Sequence, residues 1–260
     1  MKMAHQPRLP QPGDFLPSHI LTITPPAPTH TTPTNALILL HGLGDTHLPF
    51  TNLARSLALP ATVSIALRAP NLIPPLFSGT DVPAFHWADD LLFDPTTGAM
   101  DADAGFTRAQ TALDDVIKVL VSDCGFHERD IYFLGFGQGA TASFGWLGRA
   151  ERAGSGRGGY GGVIAIGAGL PKELLSWIPA SPSEKLQTPV LLCGGQTSTQ
   201  VTGQVTTLIR DRVASLQYVQ WKRSGDSMPQ NREEMMPIMQ FFARRMRSWT
   251  GVFEGAIELI

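Results

Sequence analysis

Polar and apolar positions alternate along this chain on two scales. Short, nearly continuous apolar runs recur at Ala36-Leu37-Ile38-Leu39-Leu40, Val63-Ser64-Ile65-Ala66-Leu67, Ile131-Tyr132-Phe133-Leu134, Val163-Ile164-Ala165-Ile166, Val190-Leu191-Leu192-Cys193 and Tyr218-Val219-Gln220-Trp221. Runs of this length predict strands buried on both faces. Between them, apolar residues recur at helical spacing: Phe106, Ala109, Leu113, Val116, Ile117 and Leu120, and later Met235, Ile238, Met239, Phe242 and Met246. A helix carrying Leu53, Leu57 and Leu59 and another over 205–214 complete the pattern. Strands alternating with helices predict an α/β fold, a mostly parallel central sheet with helices on both faces. His19 to Ile23 alternates like an edge strand.

The ends and long connections are of a different kind. Residues 1–18 carry Pro7, Pro10, Pro12 and Pro17 among polar residues and read as a flexible arm. The body spans 19–249, and residues 250–260 form an apolar tail with Val252, Phe253, Ile257, Leu259 and Ile260. Residues 71–104, rich in Pro and Asp around Phe85-His86-Trp87, are too long for an ordinary connection, which marks them as functional or mobile. Gly154-Ser155-Gly156-Arg157-Gly158-Gly159 satisfies G-x-G-x-x-G in form. It sits between a helix and a strand, the reverse of a dinucleotide site, and reads as a loop.

Composition narrows the classes. A net charge of −2 over 260 residues argues against nucleic acid as a partner. Two cysteines in different elements form no metal cluster and favour a reducing compartment, cytoplasm or nucleus. The start has no apolar signal region, and no run reaches the roughly 20 residues of a membrane span. Nothing calls for a cofactor or a metal.

The candidate chemistry gathers at Gly135-Phe136-Gly137-Gln138-Gly139, between an apolar run and a helix-forming run. Strand, tight glycine turn and helix form the setting of a nucleophile elbow, G-x-S-x-G. Leu40-His41-Gly42-Leu43-Gly44-Asp45-Thr46, Arg68-Ala69-Pro70, the Trp87 and Asp89 pair, and Glu234-Met235-Met236 accompany it in order. Together they resemble the acyl-protein thioesterase, or phospholipase/carboxylesterase, family of α/β-hydrolases. The resemblance runs from about residue 19 to 247 and implies that fold.

It also implies a Ser, Asp, His triad, and each of its positions departs from the family here. Gly137 stands at the nucleophile, Ser198 at the acid and Met228 at the base, and no histidine follows His127. Glycine, serine and methionine cannot supply nucleophile, orienting carboxylate and base in those roles. The resemblance further implies oxyanion-binding backbone N–H groups at Leu43 and Gln138, and a pocket near His41, His86 and Trp87.

The expectation is therefore a catalytically inactive relative whose cleft binds an acyl or carboxylate ligand, or whose cleft or tail binds a protein. Two alternatives stand beside it. One is a rewired esterase using His86 with Cys193 or Ser198, and the other a structural subunit of a larger assembly.

Overall fold

The computed structural model describes residues 6–27, 32–79, 81–91, 105–156, 158–170, 176, 185–198 and 200–247. The strands are β1 (Leu21–Thr24), β2 (Asn35–Leu40), β3 (Thr62–Leu67), β6 (Ile131–Phe136), β7 (Gly162–Ile166), β8 (Val190–Gly194) and β9 (Leu216–Gln220), joined in one sheet ordered β1-β3-β2-β6-β7-β8-β9. Only β1 runs antiparallel, pairing Leu21 with Leu67 and Thr24 with Ser64; the other neighbours are parallel. The α/β-hydrolase architecture expected from the sequence is the one observed. β2, β3, β7 and β8 are buried along their whole length, which is why they read as continuous apolar runs.

Helices cover both faces. Helices α3 (Thr107–Lys118) and α4 (Gln138–Arg152) pack on one face through Leu113, Val116, Phe144 and Trp146. On the other, α1 (His47–Leu57) and the last helix, α6 (Arg232–Arg245), bury Phe50, Ala54, Ile238, Phe241 and Phe242. The apolar clusters of the two faces are separate, so each side of the sheet has its own core. Helix α5 (Gly203–Arg212) adds Ile209 to the first.

Two expectations need correction. Residues 6–18, read as a flexible arm, are docked on the body. The Arg8 backbone N–H donates to the Cys124 carbonyl at 2.9 Å, its guanidinium pairs with Asp14 at 2.7 Å, and Phe15 is buried in the first core. Pro12 opens a single 3-10 turn, Pro12–Asp14, and Pro17 lies in the turn that follows. The other correction concerns the long connection: its first part is an ordered excursion. There β4 (Asn71–Ile73) pairs antiparallel with β5 (Ala84–His86), with a four-residue helix, α2 (Pro75–Ser78), between them. Residues 92–104 and the tail 250–260 lie outside the described residues.

Sheet order also places the site. From β2 the chain moves to β3 on one side, and β6 lies on the other, so the connections leave β2 and β6 in opposite directions. In open parallel sheets the crevice beyond the carboxyl ends of such a strand pair is where ligands bind.

Candidate functional site

The loop leaving β2 and the turn leaving β6 meet at that crevice, and glycines set how closely. A Cβ at Gly42 would lie 2.7 Å from the Phe136 ring. One at Gly135 would lie 2.5 Å from the Cα of Ala140, and one at Gly139 would strike the His41 carbonyl. The outer glycines of the elbow are therefore required by strand and helix packing.

Gly137 differs from them. It holds φ +50° and ψ −120°, the sharp turn that presents a nucleophile, and its N–H donates to the Ile166 carbonyl at 2.8 Å. A Cβ there would meet nothing nearer than the Gly42 Cα at 4.0 Å. Space for a side chain exists; the positive φ is what disfavours one.

His41 is fully buried beneath this crevice, and both ring nitrogens are committed. Nδ1 donates to the Gly42 carbonyl at 2.7 Å, and Nε2 accepts from the Ala69 N–H at 3.0 Å. A carbonyl can only accept and an amide N–H only donate, so the ring is neutral with its proton on Nδ1. Burial pulls its pKa down to about 4. It braces the loop and is no base. Trp87, also fully buried, donates its indole N–H to the His41 carbonyl at 2.7 Å, while its backbone N–H donates to Oε1 of Gln138, also at 2.7 Å. The expected pocket near His41, His86 and Trp87 is here a packed wall, since all three side chains are buried.

The N–H groups of Leu43 and Gln138 have no acceptor among the described residues. Farther along the β2 loop the amides are occupied, Gly44 donating to the Phe85 carbonyl at 2.9 Å and Asp45 to that of Gly42 at 3.3 Å, whereas Gly139 and Ala140, in the first turn of α4, are open like Gln138. Leu43 and Gln138 follow Gly42 and Gly137 directly, so their donors flank the same gap.

The acid and base positions carry structural contacts. Ser198 donates to Oδ2 of Asp226 at 2.5 Å and accepts from the N–H groups of Val201 at 2.7 Å and Gln200 at 3.2 Å. Asp226 also accepts from the Gly195 N–H at 2.9 Å. A carboxylate thus stands at the acid end of the site, brought by the loop that should carry the base. Sequence reasoning missed it, although Asp226 lies two residues before Met228. Met228 packs against the second core. Its loop is tied by Arg223, which donates to Glu234 at 2.8 Å and to the carbonyls of Ser227 at 3.0 Å and Met228 at 3.2 Å, and stacks over Trp221. Asn231 caps α6 through the Glu234 N–H, while Glu234 reaches back to the Gln230 N–H.

The groups named for a rewired triad are each held in the fold, Ser198 by Asp226 as described above. Cys193 is fully buried in the second core, and burial lifts its thiol pKa to about 12. Phe85 and Trp87, on either side of His86, pack in the first core across the sheet. His86 Nδ1 is buried without a partner, and burial lowers that ring's pKa as well. Asp89 caps α3, accepting from the N–H groups of Thr107 at 2.7 Å and Arg108 at 2.9 Å. Among the described residues, no group of three His, Cys, Asp or Glu side chains could hold a metal, and no helix is long and apolar enough to cross a membrane.

Comparison with known proteins agrees with this geometry. A family model described as phospholipase/carboxylesterase matches residues 23–246. An uncharacterized hydrolase of Schizosaccharomyces pombe is 28% identical over 226 residues, covering 86% of this chain and 89% of its own length. An uncharacterized hydrolase of Mycosarcoma maydis is 37% identical over 111 residues, covering 41% and 39%. The crystal structure of Zea mays acyl-protein thioesterase 2 superposes with a TM-score of 0.65 at 21% identity, over 87% of this chain and 98% of that one.

Proposed function

The chain belongs to the phospholipase/carboxylesterase family, and on that premise we propose that it is a member that has given up ester hydrolysis and acts by binding. One observation carries this reading. Gly137 occupies the elbow in the nucleophile's backbone conformation and has no oxygen or sulfur to attack with. The other two roles support it. Ser198 spends its hydroxyl on Asp226, and Met228 is packed against the core. The oxyanion-type donors of Leu43 and Gln138 need only backbone and survive side-chain loss. A carbonyl or carboxylate ligand, or a protein partner at the cleft or through residues 250–260, is the role left to this fold. We place it in the cytoplasm or nucleus, from its two unpaired cysteines.

A fluorophosphonate probe and a panel of aryl esters and acyl thioesters test the reading on purified full-length protein. No covalent adduct and no turnover above buffer are expected. A stoichiometric acyl or phosphonyl adduct would overturn it.

A further inference from the structure

We propose that the outer edge of β9, with the polar groove beside it, takes up an extended acidic segment of a partner protein as an added strand. This surface is not the elbow cleft, and the inference holds whether or not the chain hydrolyses esters.

β9 is the last strand of the sheet, and among the described residues it pairs with β8 alone. The Val190 N–H donates to the Ser215 carbonyl at 2.9 Å, and the Trp221 N–H to the Gly194 carbonyl at 2.8 Å. In a parallel ladder the backbone groups of alternate residues turn toward one neighbour, so those of Ser215, Gln217, Val219 and Trp221 face β8. Those of Leu216, Tyr218 and Gln220 face outward and meet no partner among the described residues. Where β2, β3, β7 and β8 are buried, β9 is half-buried and carries no charge. Such an edge is a template for one more strand.

A groove of about 590 Å³ lies between this edge and α5. Tyr218 and Gln220 line it from the strand, and Thr206, Thr207 and Arg210 from one stripe of the helix. The Thr206 and Thr207 hydroxyls donate back to the Thr202 and Gly203 carbonyls, each at 3.0 Å, and keep acceptor capacity. The side chains of Arg210, Tyr218 and Gln220 have no hydrogen-bond or ionic partner among the described residues. Every second side chain of an added strand would share the face of Tyr218 and Gln220 and enter the groove.

Charge selects the occupant. Lys185, Arg210 and Arg212 stand where β9 begins, and Lys222 and Arg223 where it ends. Arg223 is committed to Glu234, while Lys222 meets Glu233 at 3.8 Å with both side chains almost fully exposed, a pairing worth little. Asp211 does not line the groove, and Asp226 is held by Gly195 and Ser198. A second copy fits poorly. Antiparallel pairing of two β9 edges would bring the Lys185 and Arg210 end of one protomer against the Lys222 end of its partner. Handedness opposes the residues after Arg247, whose N–H is bound to Asn35 at the amino end of β2. β8 reaches β9 through α5 on the first face, so a parallel strand beyond β9 reached through α6 on the second would be a left-handed crossover. A segment of another protein carrying carboxylates satisfies both the edge and the cations.

NMR titration of the 15N-labelled full-length protein with three seven-residue peptides tests this. One alternates glutamate and valine, one lysine and valine, and the third is the glutamate peptide with its backbone amides N-methylated. The glutamate peptide is expected to shift the Leu216, Tyr218 and Gln220 amides and to bind about tenfold or more tightly than either of the others. Arg210→Glu, at an exposed position, should cut its affinity by about tenfold. Gln220→Pro removes one outward donor and no bond to β8, and should weaken the same peptide without changing the charge. Equal affinity for the three peptides, or shifts confined elsewhere, would overturn the inference. A dimer that forms through these amides, or peptide binding that emerges only when residues 250–260 are deleted, would also overturn it, by naming a second copy or the chain's own tail as the occupant.

Discussion

The hydroxyl of Ser198 lies 2.5 Å from Oδ2 of Asp226. The residue at the acid position of the hydrolase site thus donates to a carboxylate carried by the base loop. Rebuilding the acid as Ser198→Asp would replace that donor with a second carboxylate. Like charges at hydrogen-bond distance do not both ionise without cost, so one pKa of the pair rises above the unfolded value. The penalty, about 1–3 kcal/mol at pH 7 from the lost bond and the repulsion, should be relieved as pH falls through that raised pKa. Urea melts of wild type and variant between pH 4 and 8 should converge at the acid end. A gap that stays constant with pH would contradict this.

Gly137→Ser restores the hydroxyl but not the base. Positive φ at a non-glycine residue costs about 1–3 kcal/mol. Removing glycine freedom from the unfolded chain returns about 0.4–1 kcal/mol. The variant should therefore lose on the order of 1 kcal/mol of stability and show no aryl-ester hydrolysis, since Met228 takes no proton. Thermal melts and an esterase assay read both.

His41 makes stability depend on pH. Its pKa falls from 6.5 in the unfolded chain to about 4 in the fold, so the unfolded state binds the extra proton between those values. Stability is complete above about pH 6.5 and should fall by about 3 kcal/mol as pH drops to 4. Denaturant midpoints across that range test the sum, and the His41 ring protons should not titrate by NMR above about pH 5. A His41 titrating near 6.5 would remove the argument.

The docked N-terminal segment should contribute to stability. Phe15 sits in the first core, and Phe15→Ala should cost about 3–5 kcal/mol if the cavity does not collapse. Arg8→Ala should cost far less, because the Arg8–Asp14 pair is largely exposed. Equal, negligible effects would mean that the segment is loose in solution.

Much of this protein was legible from local pattern. Buried parallel strands write themselves as apolar runs, helices as 3.6-residue spacing, and the elbow's outer glycines, Gly135 and Gly139, as a motif whose packing admits nothing larger; the sheet and the position of Gly137 follow from these. What local pattern does not encode is which distant groups meet. The Pro-rich start looked flexible because its composition is polar, yet the Arg8 backbone docks on Cys124, more than a hundred positions away, and Phe15 joins the first core. His41, His86 and Trp87 looked like a pocket, and sheet order turned them into a wall by bringing Trp87 onto the His41 carbonyl and Gln138. Asp226 gave no signal because its meaning depends on Ser198 and Gly195, on a loop about thirty residues away. Sequence determined the backbone path and the chemistry missing from it. Tertiary structure decided which polar groups satisfy one another, since a hydrogen bond depends on positions in space that no single segment fixes.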